Sequence, residues 1–496
     1  MIRSESARRF VMRGTITSFA AVIVVKAFGL LESIAVARIL GDVQYGLLAL
    51  VLSATNLVLA CGTLGLPAAL TKFLSGEASS SREAAWGTIR RAVRTVLVTS
   101  AAAGLVFGIV MFQLLPDYPE GSLKPLVVLG TILVAACAPL VLFGNALQGL
   151  GRITELNLRA GLAAVAGLAL AIPLCLFLGT LGAIIAFVFG VAFVGATAIP
   201  TVWKIARSLP SSTRPDAVSV RSLLNYGLPT LLSGLTVLSA FYWINSRLAL
   251  GRGFGDLGDF AVAFTLANVI TLLSGSVGVP LVPLLSSLSV ADPQRGQVVV
   301  ARVMRMTMFL SAPFVLGGIC FSREIIGLTY GPQFTSGSTF LSILALSSFL
   351  ASISGIVGNQ IGGAGKMWLG LAINLVWTST VSLASFLLIP AYGGVGASAS
   401  ILTGYAALCL VAVMVGRSML QVPISGLRVP AVWATLLLTS ALVAAFFGGV
   451  WRIPAGLLVV GAALVSMIWL LSPSERSIIR DVLSMLEFRG KTGGGV

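Results

Sequence analysis

Long apolar runs, each about as long as a bilayer is thick, dominate the pattern of this chain. Roughly 20 mostly apolar residues carry a helix across the hydrocarbon core. Fourteen such runs are predicted, at 14–35, 44–64, 95–115, 126–148, 156–177, 181–203, 223–249, 260–282, 303–321, 338–361, 368–389, 395–416, 430–450 and 453–471. The runs are continuous rather than alternating apolar with polar, so they predict helices and exclude a membrane β-barrel. Arg3, Arg8, Arg9 and Arg13 precede the first run, which is long enough to span. It reads as a first helix with the N-terminus inside, not as a cleaved signal peptide.

Within this pattern the chain repeats itself. Asn145 to Arg152, NALQGLGR, returns 214 positions later as NQIGGAGK, Asn359 to Lys366. The same offset carries GTLGA at Gly179 to Ala183 onto GGVGA at Gly393 to Ala397. At an offset of 213, Gly65 and Pro67 meet Gly278 and Pro280. Helices one to six therefore form one half and helices seven to twelve the other. Six is even, so both copies start on the same face, as parallel repeats about an axis along the membrane normal with a cavity between them. The expected organisation is an N-terminal lobe over 1–205, a C-terminal lobe over 206–420, two further spans over 421–472 and a cytoplasmic amphipathic helix and tail over 473–496. The last of these begins with a capping box, Ser472 to Glu475, with Pro473 at its first helical position.

Composition agrees: 57% of the 496 residues are hydrophobic and 10% charged, too apolar for a soluble domain of this size. The net charge of +16 raises the question of nucleic acid, and the placement of the cations answers it. With an inside N-terminus, the cytoplasmic loops and tails hold 25 of the 32 Lys and Arg. This is the positive-inside asymmetry; it predicts a multi-pass protein of the cytoplasmic (inner) membrane with both termini cytoplasmic, in contact with anionic lipid headgroups and not with nucleic acid. The connector after the second span, with Arg82, Arg90, Arg91 and Arg94, reads as an interfacial helix. Cys61, Cys137, Cys175, Cys320 and Cys409 lie in apolar runs without metal or redox spacing, and His is absent, which removes imidazole catalysis and His-ligated metal sites. There is no ATPase-type phosphate loop. The acidic pairs Asp117 with Glu120 and Asp256 with Asp259 read as solvated loops. The expectation is a protein that is not an enzyme and uses no cofactor.

Candidate functional groups are the polar residues inside spans. The first span carries Lys26, Glu32 and Arg38. Counting from Arg13 at about 1.5 Å per residue, Lys26 lies roughly 20 Å in, near the midplane, and Arg38 roughly 37 Å in, within reach of the far interface. Steps of six residues turn a helix by about 240°, so the three do not share a face. An ionised group near the midplane costs a few kcal/mol unless it faces a cavity or a partner. Lys26 therefore awaits either an anionic substrate or an acid on a neighbouring helix, and Glu32 is either a proton or cation site or a structural lock. Arg247 on the seventh span lies at nearly the depth of Arg38. Its neighbours Tyr242, Trp243 and Asn245 could hold a sugar or belong to an interfacial aromatic belt. Asn56, Asn268, Gln148, Thr265, Asn359, Gln360 and Asn374 make helix-to-helix hydrogen bonds or line a hydrophilic cavity.

AVARILGDVQYGLLAL, with its aromatic–Gly pair Tyr45–Gly46, followed by LGLPAALTKFLS, resembles the opening signature of the polysaccharide-type flippases. NALQGLGR and NQIGGAGK are similar to that family's turns after helices four and ten. The resemblance covers essentially the whole chain and implies the multidrug/oligosaccharidyl-lipid/polysaccharide exporter fold. It implies translocation of a lipid-linked oligosaccharide, carried on polyprenyl diphosphate, by alternating access for surface polysaccharide or glycan synthesis. Glycosyltransferases or a polymerase of the same pathway are the implied partners. On this reading Lys26 meets the anion, Arg38 and Arg247 meet it toward the outer mouth, and Glu32, Asn56 and Asn268 complete the cavity. The alternative within the same fold is a cation-coupled drug or small-molecule antiporter, with Glu32 carrying the coupling ion.

Overall fold

The computed structural model describes residues 5–76, 81–114, 123–211, 218–275, 293–363, 367–415 and 452–470, and no strand occurs among the described residues. The helices are α1 (Glu5–Thr63), α2 (Leu66–Leu74), α3 (Arg82–Leu114), α4 (Leu123–Gly149), α5 (Ile153–Leu178), α6 (Thr180–Ser208), α7 (Val220–Arg252), α8 (Phe254–Gly275), α9 (Pro293–Cys320), α10 (Ser322–Thr329), α11 (Ser338–Gly363), α12 (Met367–Val415) and α13 (Arg452–Leu470), with a 3-10 turn at Pro332–Gly337. Two of them are broken. Gly41 (φ 78°, ψ 175°) divides α1, and Gly393 (φ 56°, ψ −130°) divides α12, each into two antiparallel arms.

Eight helices are long and apolar enough to cross a membrane, and ten if α1 with α2 and α9 with α10 each count as one bent span. Once the arms of α1 and α12 are separated, helices or arms occupy every predicted run except 430–450, which lies outside the described residues, as does the amphipathic segment 473–496. The connector expected to lie on the membrane surface does something else. Its first part is α2, bent 50° from the preceding arm, with Leu66, Ala69, Leu70 and Leu74 buried among the side chains of α3, α4 and α7. Its basic part, from Arg82, is the start of α3 itself.

The duplication is visible in the backbone. Gly179, between α5 and α6, has φ 57° and ψ −134°, nearly the values of Gly393 214 positions on. A Cβ on Gly182 would fall on the Leu174 carbonyl, and a Cβ on Gly396 on the Leu388 carbonyl; both residues of the second pair lie 214 positions beyond those of the first. The leading hairpins repeat with a shorter step. Gly253 (φ 93°, ψ 174°) joins α7 to α8 as Gly41 joins the two arms of α1, 212 positions earlier.

These hairpins are also where the halves meet. A Cβ on Gly46 would fall on the Phe254 carbonyl oxygen, and a Cβ on Gly258 on the Asp42 carbonyl oxygen. Since 258 and 254 are 46 and 42 plus 212, the contact is reciprocal: each copy offers its glycine to the other copy's carbonyl, as across a two-fold axis. Only glycine allows two helix backbones this close. At the far end of the same arm Gly65 (φ 68°) approaches Gly227 of α7 in the same way, and the Lys72 ammonium sits 4.0 Å above the Tyr226 ring. Around the Gly41 end the largest core cluster joins Val51, Ala54, Ile244, Leu257 and Val262, from both halves.

Gly46→Ala and Gly258→Ala are each expected to lower thermal stability in detergent by ~1–3 kcal/mol, the typical cost of overpacking, whereas Gly161→Ala, which meets nothing within 4 Å, leaves it unchanged or slightly raised. Fluorescence-detected size exclusion after heating measures all three.

Candidate functional site

Between the Gly46 contact and the Gly65 contact lies a cavity of about 400 Å³, lined by the second arm of α1 and by α7 and α8. The second arm of α1 supplies Tyr45, Leu48, Ala49, Leu52, Ser53 and Asn56, and α8 supplies Phe260, Ala261, Phe264, Thr265 and Asn268. The 212-residue register pairs them: Leu48 with Phe260, Ala49 with Ala261, Leu52 with Phe264, Ser53 with Thr265, and Asn56 with Asn268. Positions 45, 48, 49, 52, 53 and 56 follow the 3-and-4 spacing of one helix face, so the whole stripe turns toward the axis. The amides sit farthest in. Asn56 and Asn268 each lie 15 residues beyond their hairpin glycine, about 22 Å along the helix, and so near the middle of a bilayer of about 40–45 Å including its headgroup regions.

The third wall is α7, through Leu238, Phe241 and Asn245. The 212 register carries these onto Lys26, Gly29 and Ser33 of α1. The two copies differ sharply here. Ser33 is spent at the Gly41 end, its Oγ 2.8 Å from the Tyr45 hydroxyl and 3.0 Å from the Tyr330 hydroxyl. Gly29, where the second copy has Phe241, is exposed and meets nothing within 4 Å among the described residues. Lys26, where the second copy has Leu238, is also exposed. It lies 15 residues before Gly41, and therefore level with Asn56.

The remaining candidates are placed as follows. Glu32 is partly buried, its carboxylate against Gly167 of α5, and neither it nor Lys26 forms an ion pair among the described residues. Arg38 is exposed and donates from Nε to the Thr329 carbonyl (2.8 Å) and from Nη2 to the Leu328 carbonyl (2.6 Å). It thereby caps the C-terminus of α10 with a cation, the favourable sign for a helix dipole, and ties the first half to the second beside the glycine contact. Arg247 points away from the cavity, because two residues from Asn245 turn a helix by about 200°. Its guanidinium lies 5.6 Å from the Trp243 ring and 5.3 Å from the Phe386 ring, both exposed, which suits an interfacial aromatic belt. The structure thus brings Asn56 and Asn268 together and leaves Glu32, Arg38 and Arg247 with other neighbours. Of the three neighbours of Arg247 that the sequence offered either to a sugar or to an aromatic belt, Asn245 lines the cavity, on the i, i+3, i+7 stripe of Leu238, Phe241 and Asn245.

A second cavity, of about 440 Å³, lies inside the C-terminal half among α7, α8, α11 and α12. Pro229, Thr230, Ser233, Ser354, Gly358, Gly370, Asn374 and Tyr405 line it, and Asn374 Nδ2 donates to Ser233 Oγ at 2.6 Å.

Two duplicated bundles that cross at a glycine contact over a cavity carrying three amides define an all-α, multi-pass membrane protein with the architecture of the multidrug and lipid exporters. The chain belongs to the polysaccharide biosynthesis protein family, whose model matches residues 11–289. Among curated proteins it is 24% identical over 211 residues to the probable low-salt glycan biosynthesis flippase Agl15 of Haloferax volcanii, covering 42% of this chain and 44% of that one. It is 24% identical over 221 residues to the EPS I polysaccharide export inner membrane protein EpsE of Ralstonia solanacearum, covering 43% and 49%. The chain thus spans less than half the length of the curated relatives it matches. Among solved structures it shares the fold of the lipid II flippase MurJ in an inward closed conformation (TM-score 0.68, 13% identity, 92% of this chain and 98% of that one). It also shares the fold of an outward-facing MATE transporter of the MOP superfamily (TM-score 0.55, 18% identity, 83% and 95%).

If the cavity is wetted, cysteines placed at 56 or 268 in a background lacking the five native cysteines react with a hydrophilic maleimide. A cysteine at Ala263, fully buried on another face of α8, stays unmodified under the same conditions; mass spectrometry reads the difference.

Proposed function

We propose that this protein is a flippase that moves a polyprenyl-diphosphate-linked oligosaccharide across the cytoplasmic membrane by alternating access, for surface polysaccharide or glycan synthesis. The observation that carries the proposal is the mid-depth cavity on the axis between two duplicated halves, in a chain of the polysaccharide biosynthesis family. The names of the two curated relatives, a glycan biosynthesis flippase and a polysaccharide export protein, point the same way. The moving units are the lobes 1–205 and 206–420. The structure holds both contacts closed, and the lobes rock by opening one at a time: the reciprocal Gly46 and Gly258 contact, latched by Arg38 on α10, or the Gly65 and Gly227 contact. The excess of Lys and Arg in alternate loops supports a cytoplasmic Gly65 end and cytoplasmic termini.

Lys26 is the group proposed to meet the diphosphate. It is level with Asn56, and the repeat gives it the position that Leu238 holds in the cavity wall. An ammonium there offsets part of the cost of carrying a dianion through low dielectric. The polyprenyl chain has no need of the cavity and stays in lipid.

The test is reconstitution in liposomes with a fluorescent polyprenyl-diphosphate-linked oligosaccharide, scored by loss of signal to an impermeant quencher. The wild-type protein is expected to flip it. Lys26→Ala should slow flipping by about tenfold or more, ~1.4 kcal/mol in barrier, at normal protein levels, and Lys26→Arg should retain most of the rate. A wild-type rate in Lys26→Ala removes Lys26 from the path, and no flipping by wild-type protein removes the function.

A further inference from the structure

The cavity has a chemical character that the function alone does not require. Every side chain lining it is uncharged. Its hydroxyls are occupied: Ser53 Oγ donates to the Leu50 carbonyl at 2.7 Å and Thr265 Oγ1 to the Ala261 carbonyl at 2.8 Å. Asn56, Asn245 and Asn268 are different. Among the described residues no side-chain hydrogen bond engages any of the three amides, although all three face the cavity at membrane depth. An amide offers one acceptor and two donors, and leaving them unspent in a low-dielectric span costs free energy that a ligand or water must offset.

From this we infer that the cavity is a subsite for the neutral part of the glycan, with Asn56, Asn245 and Asn268 as its specificity-determining groups and the diphosphate held elsewhere. The inference rests on the flippase reading. Three observations carry it. First, a diphosphate inside an uncharged pocket would be a buried charge without a partner, which is strongly disfavoured; Lys26, at the α1 position equivalent to Leu238, is a cation outside the lining. Second, a ring hydroxyl both donates and accepts, which matches a neutral amide, whereas an ammonium only donates and would leave the hydroxyl proton without an acceptor. Third, Phe241 and Phe264, with ring centroids 5.0 Å apart, supply apolar faces for the C–H side of a sugar ring. A volume of about 400 Å³ is at the small end for ligand sites, which fits a sugar unit and not an acidic lipid headgroup with its hydration.

The two walls then divide the substrate. Asn56 and Asn268, equivalent positions of the two copies, hold the sugar from α1 and α8, Asn245 and Phe241 hold it from the α7 side, and the diphosphate is left to Lys26 on the first arm of α1. Any acidic sugar in the glycan would have to avoid the α7 wall, so the protein should favour a neutral residue next to the diphosphate.

The experiment compares two probes in liposomes: a fluorescent polyprenyl diphosphate bearing a neutral disaccharide, and the same polyprenyl diphosphate with no sugar. The triple substitution Asn56→Ala, Asn245→Ala, Asn268→Ala is expected to slow the glycosylated probe at least tenfold relative to wild type. Its rate on the bare lipid should match that of wild type, which also reports that the variant is folded. Equal wild-type and variant rates on the glycosylated probe overturn the subsite. So does equal loss on both probes, which would assign the amides to the diphosphate or to the fold; thermal stability then separates those two. Lys26→Ala is expected to slow both probes alike. Failure of wild-type protein to move either lipid is a different result: it defeats the flippase reading and the subsite with it.

Discussion

The reciprocal packing of Gly46 on the Phe254 carbonyl and Gly258 on the Asp42 carbonyl is the constraint on which the rest of the molecule depends. Two hairpins meet backbone to backbone at one point, so their helices must diverge from it, and the divergence creates the cavity. Because each hairpin contributes the same glycine and the same carbonyl position, the contact is self-complementary and fixes the register of one half on the other. Every residue on the inward stripe then faces its own copy. Asn56 and Asn268 line one cavity for the same reason that Gly46 and Gly258 meet reciprocally: both pairs are 212 positions apart on helices related by the same axis. In a bilayer no hydrophobic force distinguishes helix–helix from helix–lipid contact. Close backbone approach and polar ties such as Arg38 to the carbonyls of α10 therefore have to hold the halves together.

Much of this was legible in the sequence, and the limits of legibility are physical. Spans are legible because a bilayer demands length and apolarity, and the arms on either side of Gly41 and Gly393 coincide with separate apolar runs. The duplication is legible where turns need glycine, as at Gly179 and Gly393. Asn56 and Asn268 could be picked out because an amide inside a span is conspicuous. Facing direction is harder. Depth follows from counting residues, but azimuth depends on where the neighbouring helices lie, so Arg247 and Asn245 have similar depth and opposite surroundings. The carbonyls that hold Arg38 lie some 290 residues away in sequence, on a short helix whose C-terminus no local pattern connects to it. The repeat itself misleads at this point. Its step is 214 at the α5–α6 turn and 212 at the leading hairpin, so matching Arg38 to Arg247 by depth crosses the true register, which sets Arg38 against Leu250 and Arg247 against Ala35.

The departures from duplication carry more meaning than the duplication. In the N-terminal half, a Cβ on Gly144 of α4 would touch Leu156 and Val194 at ordinary distances, and the space between α4, α5 and α6 is filled. The equivalent Gly358 meets nothing within 4 Å among the described residues, because Gly370 stands where Leu156 would be. The second cavity follows directly from that exchange of a leucine for a glycine. On the axis, the same logic replaces Leu238 by Lys26 and Phe241 by Gly29. Two identical walls would present the same chemistry twice, which suits a symmetric ligand. A molecule with a dianion at one end and neutral sugars at the other needs walls that differ. A duplicated scaffold supplies the hinge and the axis, and a few exchanges on one copy, made without disturbing the glycine contact, supply the polarity.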